Sequence, residues 1–293
     1  MRTLVRYSLM TVVALLSPAT VAAQTTTVDT LISVRPDGRL ELHNGDGTVE
    51  IDVWNRDRVR LRARRDEPVP IRIEKKGVAL VVRSPRQMER DAEIDYALTV
   101  PASMDLAIHG ARSPVTVRGT AGRVEVHTTN GAVEVRGGRE RVEVHTINGR
   151  VRISGTRGRV KVVGVNGPVT IRDMAGEAVT VNLVNGAVTL DEIDGGAVEA
   201  VTVNGRIRFQ GVVRSEGSYQ LNAHNGGIVF EIPEGTSARV HVSTFNGSFR
   251  TEFPVTIEDG PHGRRFDFTL GAGEARVELT SFNGTIELRR PGS

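Results

Sequence analysis

The residues of this chain that could do chemistry are few, and most of them recur at one place in a repeating phrase. His127 and His145 occupy equivalent positions, each two residues after a carboxylate, Glu125 or Glu143, and three before an Asn-Gly pair. Two imidazoles at that spacing could share a metal, but the next equivalents are Val163 and Asn182, so the third ligand a metal needs is missing and we expect no metal site. The run Asp191-Glu192-Ile193-Asp194-Gly195-Gly196 has the acidity of a calcium loop without the repeated Gly-Gly-x-Gly-x-Asp that stacks calcium ions, and it reads as a turn. No serine is paired with histidine in a nucleophile motif. The outward carboxylates Glu125, Glu143, Glu134, Glu199, Glu278 and Glu287 are interleaved with Lys161, Arg152, Arg208 and Arg250, which suits salt-bridged solvated faces better than an acid–base pair. The expectation is therefore a protein that is not an enzyme and carries no cofactor.

Two groups of arginines remain as candidate binding residues. Arg58, Arg60, Arg62 and Arg64 alternate with Val59, Leu61 and Ala63 and so share one face of a strand. Arg136, Arg150, Arg152 and Arg172 follow the Asn-Gly pairs in consecutive repeats. Guanidinium groups in such rows suit the phosphates or carboxylates of an anionic polymer. They also protect a sheet against edge-to-edge pairing, and Asp57, Asp66 and Glu67 partly neutralise the first group.

The elements that must position these side chains are set by the repeat. Asn130-Gly131, Asn148-Gly149, Asn166-Gly167, Asn185-Gly186, Asn204-Gly205, Asn225-Gly226, Asn246-Gly247 and Asn283-Gly284 are separated by 18, 18, 19, 19, 21, 21 and 37 residues, the last close to two ordinary steps. A period near twenty marks a stacked repeat architecture. Counting from each Asn, positions −6 and −4 are apolar (Val124/Val126 through Val277/Leu279), as are +3 and +5 (Val133/Val135 through Ile286/Leu288) with the one exception of Thr251. Each repeat is thus two short strands with period-2 alternation, one on each side of the Asn-Gly corner. The fold class expected is all-β: a flattened parallel β-solenoid of rungs 18–21 residues long, with an irregular N-terminal β cap. An antiparallel β meander is the alternative, because Asn-Gly is also the preferred hairpin turn and Thr128 would then face Val133. The segment between Asn246 and Asn283 reads as a degenerate rung, a late capping irregularity or an inserted loop.

The first 23 residues have the form of a cleaved signal peptide: Arg2 and Arg6, an apolar run from Leu9 to Val21, and Val21-Ala22-Ala23 as the cleavage site. Residues 24–100 then form the β cap region and 101–293 the solenoid. The apolar run is too short and broken for an anchor, so we expect no transmembrane segment in the mature chain and a location in the periplasm or at the cell surface. The chain has no cysteine, which excludes disulfides and thiolate metal sites. Losing Arg2 and Arg6 lowers the formal charge from +3 to +1, which argues against nucleic-acid binding.

The leader, the Val100-Pro101 entry followed by Leu106, and the run of V-x-V…(T/N)-G units resemble the putative-adhesin β-strand-repeat family of exported bacterial envelope proteins, whose relatives include auto-transporter-adhesin-like head domains. That resemblance implies a β-solenoid, an envelope location and no established enzymatic activity. The functional expectation is a structural or adhesin-like envelope protein that binds a surface polymer or protein through an extended β face. The alternatives are an envelope-stress scaffold or sensor with a protein partner, and a carbohydrate-active β-helix enzyme. Oligomeric state is not legible.

Overall fold

The structure, a computed structural model, describes residues 26–65, 70–84, 93–255 and 264–292. The leader-like segment, Asp66, Glu67 and residues 256–263 of the stretch between Asn246 and Asn283 lie outside the described residues.

Valine-rich alternation dictates the rung. In the strand Val124–Asn130, Val124 and Val126 are buried while Glu125 and His127 point outward, and after the corner Val133 and Val135 are buried in Val133–Gly137. β-Branched side chains pack well on a pleated surface, and each one buried contributes about 1.5–2 kcal/mol over an exposed one. Successive rungs pair in parallel and in register: Val124 beside Val142, Val126 beside Val144 and Asn130 beside Asn148 on one side, Val133 beside Val151 and Val135 beside Ile153 on the other. Thr128 neighbours Thr146 of the next rung and not Val133, so the solenoid holds and the meander does not. From Val151 onward single strands run from one Asn corner to the next, as in Val151–Asn166, Val169–Asn185 and Val188–Asn204. A short third side places Thr156, Met174 and Ile193 inside, beyond left-handed corners at Gly155, Asp173 and Glu192. The Asp191–Gly196 run is this corner, with Asp191 3.3 Å from Arg172 and Asp194 2.5 Å from Arg214.

The Asn-Gly corners hold the stack by backbone and side chain together. A Cβ at Gly205 would sit 1.9 Å from the carbonyl oxygen of Gly186, and one at Gly149 would sit 2.0 Å from that of Gly131, so nothing but glycine lets the rungs approach. Beside this column each Asn amide donates to the amide oxygen of the rung before it. Nδ2 of Asn148, Asn166, Asn185, Asn204 and Asn225 donates at 2.8, 2.8, 2.9, 2.7 and 2.9 Å to Asn130, Asn148, Asn166, Asn185 and Asn204 respectively.

Both ends interleave. Ala275–Asn283 inserts between the Asn225 rung and Ala238–Asn246, in parallel with both, and its Asn283 donates to Asn225 at 2.9 Å while Asn246 donates to Asn283 at 3.1 Å. The 37-residue step is therefore not two rungs in series. The chain lays down the last rung, covers it with the antiparallel strand Arg264–Leu270, and returns to fill the place it skipped. The segment before Asn283 supplies that capping strand. At the other end Arg39–Asp46 lies between Ala79–Arg83 and Asp105–Arg112, and Val49–Trp54 between Ile94–Pro101 and Val115–Thr120, all in parallel. Rung geometry thus reaches into the segment expected as a cap, with its corner at Asp46-Gly47. Asn44 is buried two positions earlier, donating to the carbonyls of Gly47 and Ile94. The antiparallel strands Arg72–Lys76, Arg58–Arg65 and Thr26–Ser33 finish this end and occupy edges that would otherwise template pairing.

Candidate binding surface

Inward positions build the same core in every rung, so the outward columns carry whatever distinguishes one face from another. On the face that precedes the Asn corner, the −3 column holds four stacked imidazoles, not two. His43, His109, His127 and His145 have ring centroids 4.7, 5.2 and 4.6 Å apart, tilted by 14°, 14° and 9°. The signal for the two missed in the sequence was a short phrase, Glu41-Leu42-His43 and Ala107-Ile108-His109, which matches Glu125-Val126-His127 but precedes the aligned repeats. In these rungs the −5 carboxylates reach the histidine two residues on, at 2.5 Å for Glu41, 3.0 Å for Glu125 and 2.9 Å for Glu143. The same carboxylates receive Arg83 at 3.2 Å, Arg39 at 3.0 Å and Lys161 at 3.0 Å. His145 and then Lys161 hold the Glu143 carboxyl down at about 2. His109, beside Ala107, has no such partner on its own strand. Burial, then the rings of His43 and His127, push its pKa down. Near-parallel rings aim their nitrogens alike instead of converging, and among the described residues no group of three or more histidines and carboxylates is placed to hold a metal ion.

From the Asn166 rung onward the charge on this face retreats to the −5 column, at Lys161, Glu199 and Glu278, and the columns nearest the corner lose it. In spatial order its −3 column reads Val163, Asn182, Val201, Asn222, Thr280 and Ser243, and its −1 column Val165, Val184, Val203, His224, Phe282 and Phe245. The −1 side chains stand out in solvent: Val165 is 38% exposed, Val184 41%, Val203 40% and Phe245 65%. His224, Phe282 and Phe245 stack at 4.8 Å each. Where the two halves meet, a shallow groove of about 470 Å³ is lined by His109, His127, His145, Ile147, Val163 and Val165.

The arginines expected to bind stand elsewhere. Arg136, Arg150, Arg152 and Arg172 are exposed on the face after the corner, but Arg136 pairs with Glu134 at 2.7 Å and Arg172 with Asp191 at 3.3 Å. Arg152 lies in register between Glu134 and Thr170, and Arg150 sits at the corner itself. Arg58, Arg60, Arg62 and Arg64 do share the outer face of an end strand whose Val59, Leu61 and Ala63 are buried. Asp29 takes Arg60 through two bonds, at 3.0 and 2.6 Å, and Arg62 at 3.4 Å, while Asp95 lies 4.0 Å from Arg64. The Arg60 hydrogen bond holds the Asp29 carboxyl below its usual range. Four strand spacings, about 19 Å, separate this strand from the Arg136 strand, so the two groups form no single site. A larger cleft of about 710 Å³ at the C-terminal end contains His241, Asp267, Arg276 and Glu278, paired as His241–Asp267 at 2.5 Å and Arg276–Glu278.

A family model described as Toastrack DUF4097 matches residues 39–289. The fold is similar to that of a putative lipid binding protein from Parabacteroides distasonis, at 11% identity and TM-score 0.49 over 90% of this chain and 96% of that one. It is also similar to a putative adhesin from the same species, at 10% identity and TM-score 0.45 over 91% and 97%. A putative adhesin from Bacteroides fragilis matches at 12% identity and TM-score 0.38 over 91% and 98%. A search of curated proteins gives no match.

Proposed function

The chain belongs to the Toastrack DUF4097 family, and from that premise we propose that it is a non-enzymatic exported envelope protein that binds surface material through the face preceding its Asn corners. The observation that carries this reading is the uncovered −1 column. Aliphatic and aromatic side chains in a continuous exposed row are unusual on a monomer surface and mark interaction sites. A parallel stack with register fixed at every rung presents that row as a stiff rail, with little ordering entropy left to lose on binding. Export rests on the leader-like residues 1–23. Periplasm and cell surface are both compatible with it.

The test is co-sedimentation of the purified chain with isolated envelope material. Wild type should sediment, and the triple variant Val165→Asp, Val184→Asp, Val203→Asp should stay in the supernatant while keeping its far-ultraviolet circular dichroism. A folded triple variant that sediments like wild type, or a wild type that does not sediment, contradicts the reading.

A further inference from the structure

We propose that the uncharged strip between the Asn166 and Asn246 rungs is a binding site for a neutral linear polysaccharide. The inference rests on the reading that this face binds envelope material, and it names the class of ligand.

Charge is the first argument. A quarter of the chain is Asp, Glu, Lys or Arg, yet over six consecutive rungs the −3, −1 and 0 columns contain none of them, and His224 is the one ionisable group. A polyanion would find no cation to replace its counterions in this strip. A neutral polymer leaves no charge stranded there.

Hydrogen-bonding capacity is the second. A primary amide has two N–H donors and two acceptor lone pairs, and the ladder uses one of each at Asn185, Asn204 and Asn225. These side chains are exposed, so one donor and one acceptor per rung remain for a ligand. Asn182 and Asn222 add two amides in the −3 column. Sugar hydroxyls both donate and accept, which is the complement of such a row.

The apolar −1 column is the third, lying between the Asn ladder and a −3 column in which Asn182, Asn222, Thr280 and Ser243 alternate with or follow Val163 and Val201. The C–H faces of a sugar ring can lie on Val184 and Val203 and on the ring stack ending at Phe245. The amide ladder on one side and Asn182, Asn222, Thr280 and Ser243 on the other disfavour insertion of the same strip into a lipid surface, where they would be buried without partners. Five rung spacings give a strip about 24 Å long, enough for several sugar units of an extended chain.

The experiment divides envelope material into three fractions: neutral polysaccharide freed of protein and of charged chains, acidic polysaccharide, and protein. Binding of the full chain to each is measured by affinity electrophoresis or calorimetry at 0.1 and 0.5 M salt. The neutral fraction should bind with the same affinity at both salts. The double variant Asn222→Ala, Phe245→Ala should weaken this at least tenfold, and Arg152→Ser should leave it unchanged. Phe245 is exposed and Asn222 half-buried on the outward face, and circular dichroism checks that the fold survives. Binding confined to the acidic or the protein fraction overturns the inference, as does a dimer broken by Val184→Asp. If wild type co-sediments with whole envelopes but ignores the neutral fraction, this inference fails and the wider reading survives. If co-sedimentation also fails, both fall.

Discussion

The two outward faces of the stack grow from the same rungs, the same valine core and the same corners, yet they differ in kind. After the corner, charge alternates in sign and is paired at close range: Glu134 with Arg136, Arg172 with Asp191, Arg208 with Glu231. Before the corner, residues are segregated into a block of stacked imidazoles with their carboxylates, then a strip nearest the corner with no fixed charge, edged by Lys161, Glu199 and Glu278 in the −5 column. A solenoid needs its inward positions and its glycines. It does not need its outward columns to be sorted. The paired face is what solubility alone would produce, and the sorted face is where a binding role can be written without cost to the fold.

Breaking what the faces share should have the largest effect. Gly205→Ala drives a Cβ to within 1.9 Å of the Gly186 carbonyl oxygen, and we expect a loss of about 4 kcal/mol and a melting temperature lower by ~8 °C or more in a circular dichroism melt. Both faces would be damaged alike.

Charging the strip comes next. Asn185→Asp removes the donation to Asn166 and sets oxygen against oxygen, a loss of about 1–3 kcal/mol by denaturant titration. The loss should shrink as the pH falls below about 4 and the new carboxyl protonates. Thr189→Asp, half-buried and outward on the other face of the same rung beside Arg208, should stay within about 0.5 kcal/mol.

The imidazole block should reveal itself by pH. Glu143 is held at about 2, so the stability it contributes is complete above the ordinary carboxylate range and is lost as pH falls toward that value. Glu143→Gln should cost about 1 kcal/mol at neutral pH, allowing for solvent screening, with the deficit closing below pH ~4. His109 is lowered, so its contribution is complete above an imidazole's usual value of about 6.5 and fades as pH falls below it. His109→Gln should flatten that limb of the stability profile by less than Glu143→Gln flattens the acid limb. Arg152→Ser on the paired face should be the smallest change, within about 0.5 kcal/mol.

Much of the fold was legible because one physical pattern repeats. Valines at −6, −4, +3 and +5 all point inward, and the Asn-Gly corners stand where the period put them. The interleaved ends were not legible, and for a physical reason. Rungs with the same inward pattern satisfy one another in parallel register equally well, so nothing local says that Ala275–Asn283 neighbours Asn225 and not Asn246 alone. The candidate surface was half legible. His127 and His145 were placed in one column, but His43 and His109 join it from rungs whose corners are Asp46 and Arg112 instead of Asn. Arginines drew attention as the chemically strongest groups, and Asp29 and Asp95, remote in sequence, turned out to engage several of them. The −1 column drew no reading at all, because apolar side chains such as Val165, Val184 and Val203 carry no chemical signal until the pleat is seen to turn them outward.

The most direct test of the two-face account is envelope binding by three folded chains measured side by side: wild type, Val184→Asp on the sorted face, and Arg152→Ser on the paired face. The account predicts that Val184→Asp binds at least tenfold more weakly, that Arg152→Ser equals wild type, and that salt leaves this order intact. Loss of binding in Arg152→Ser with Val184→Asp unaffected would contradict it.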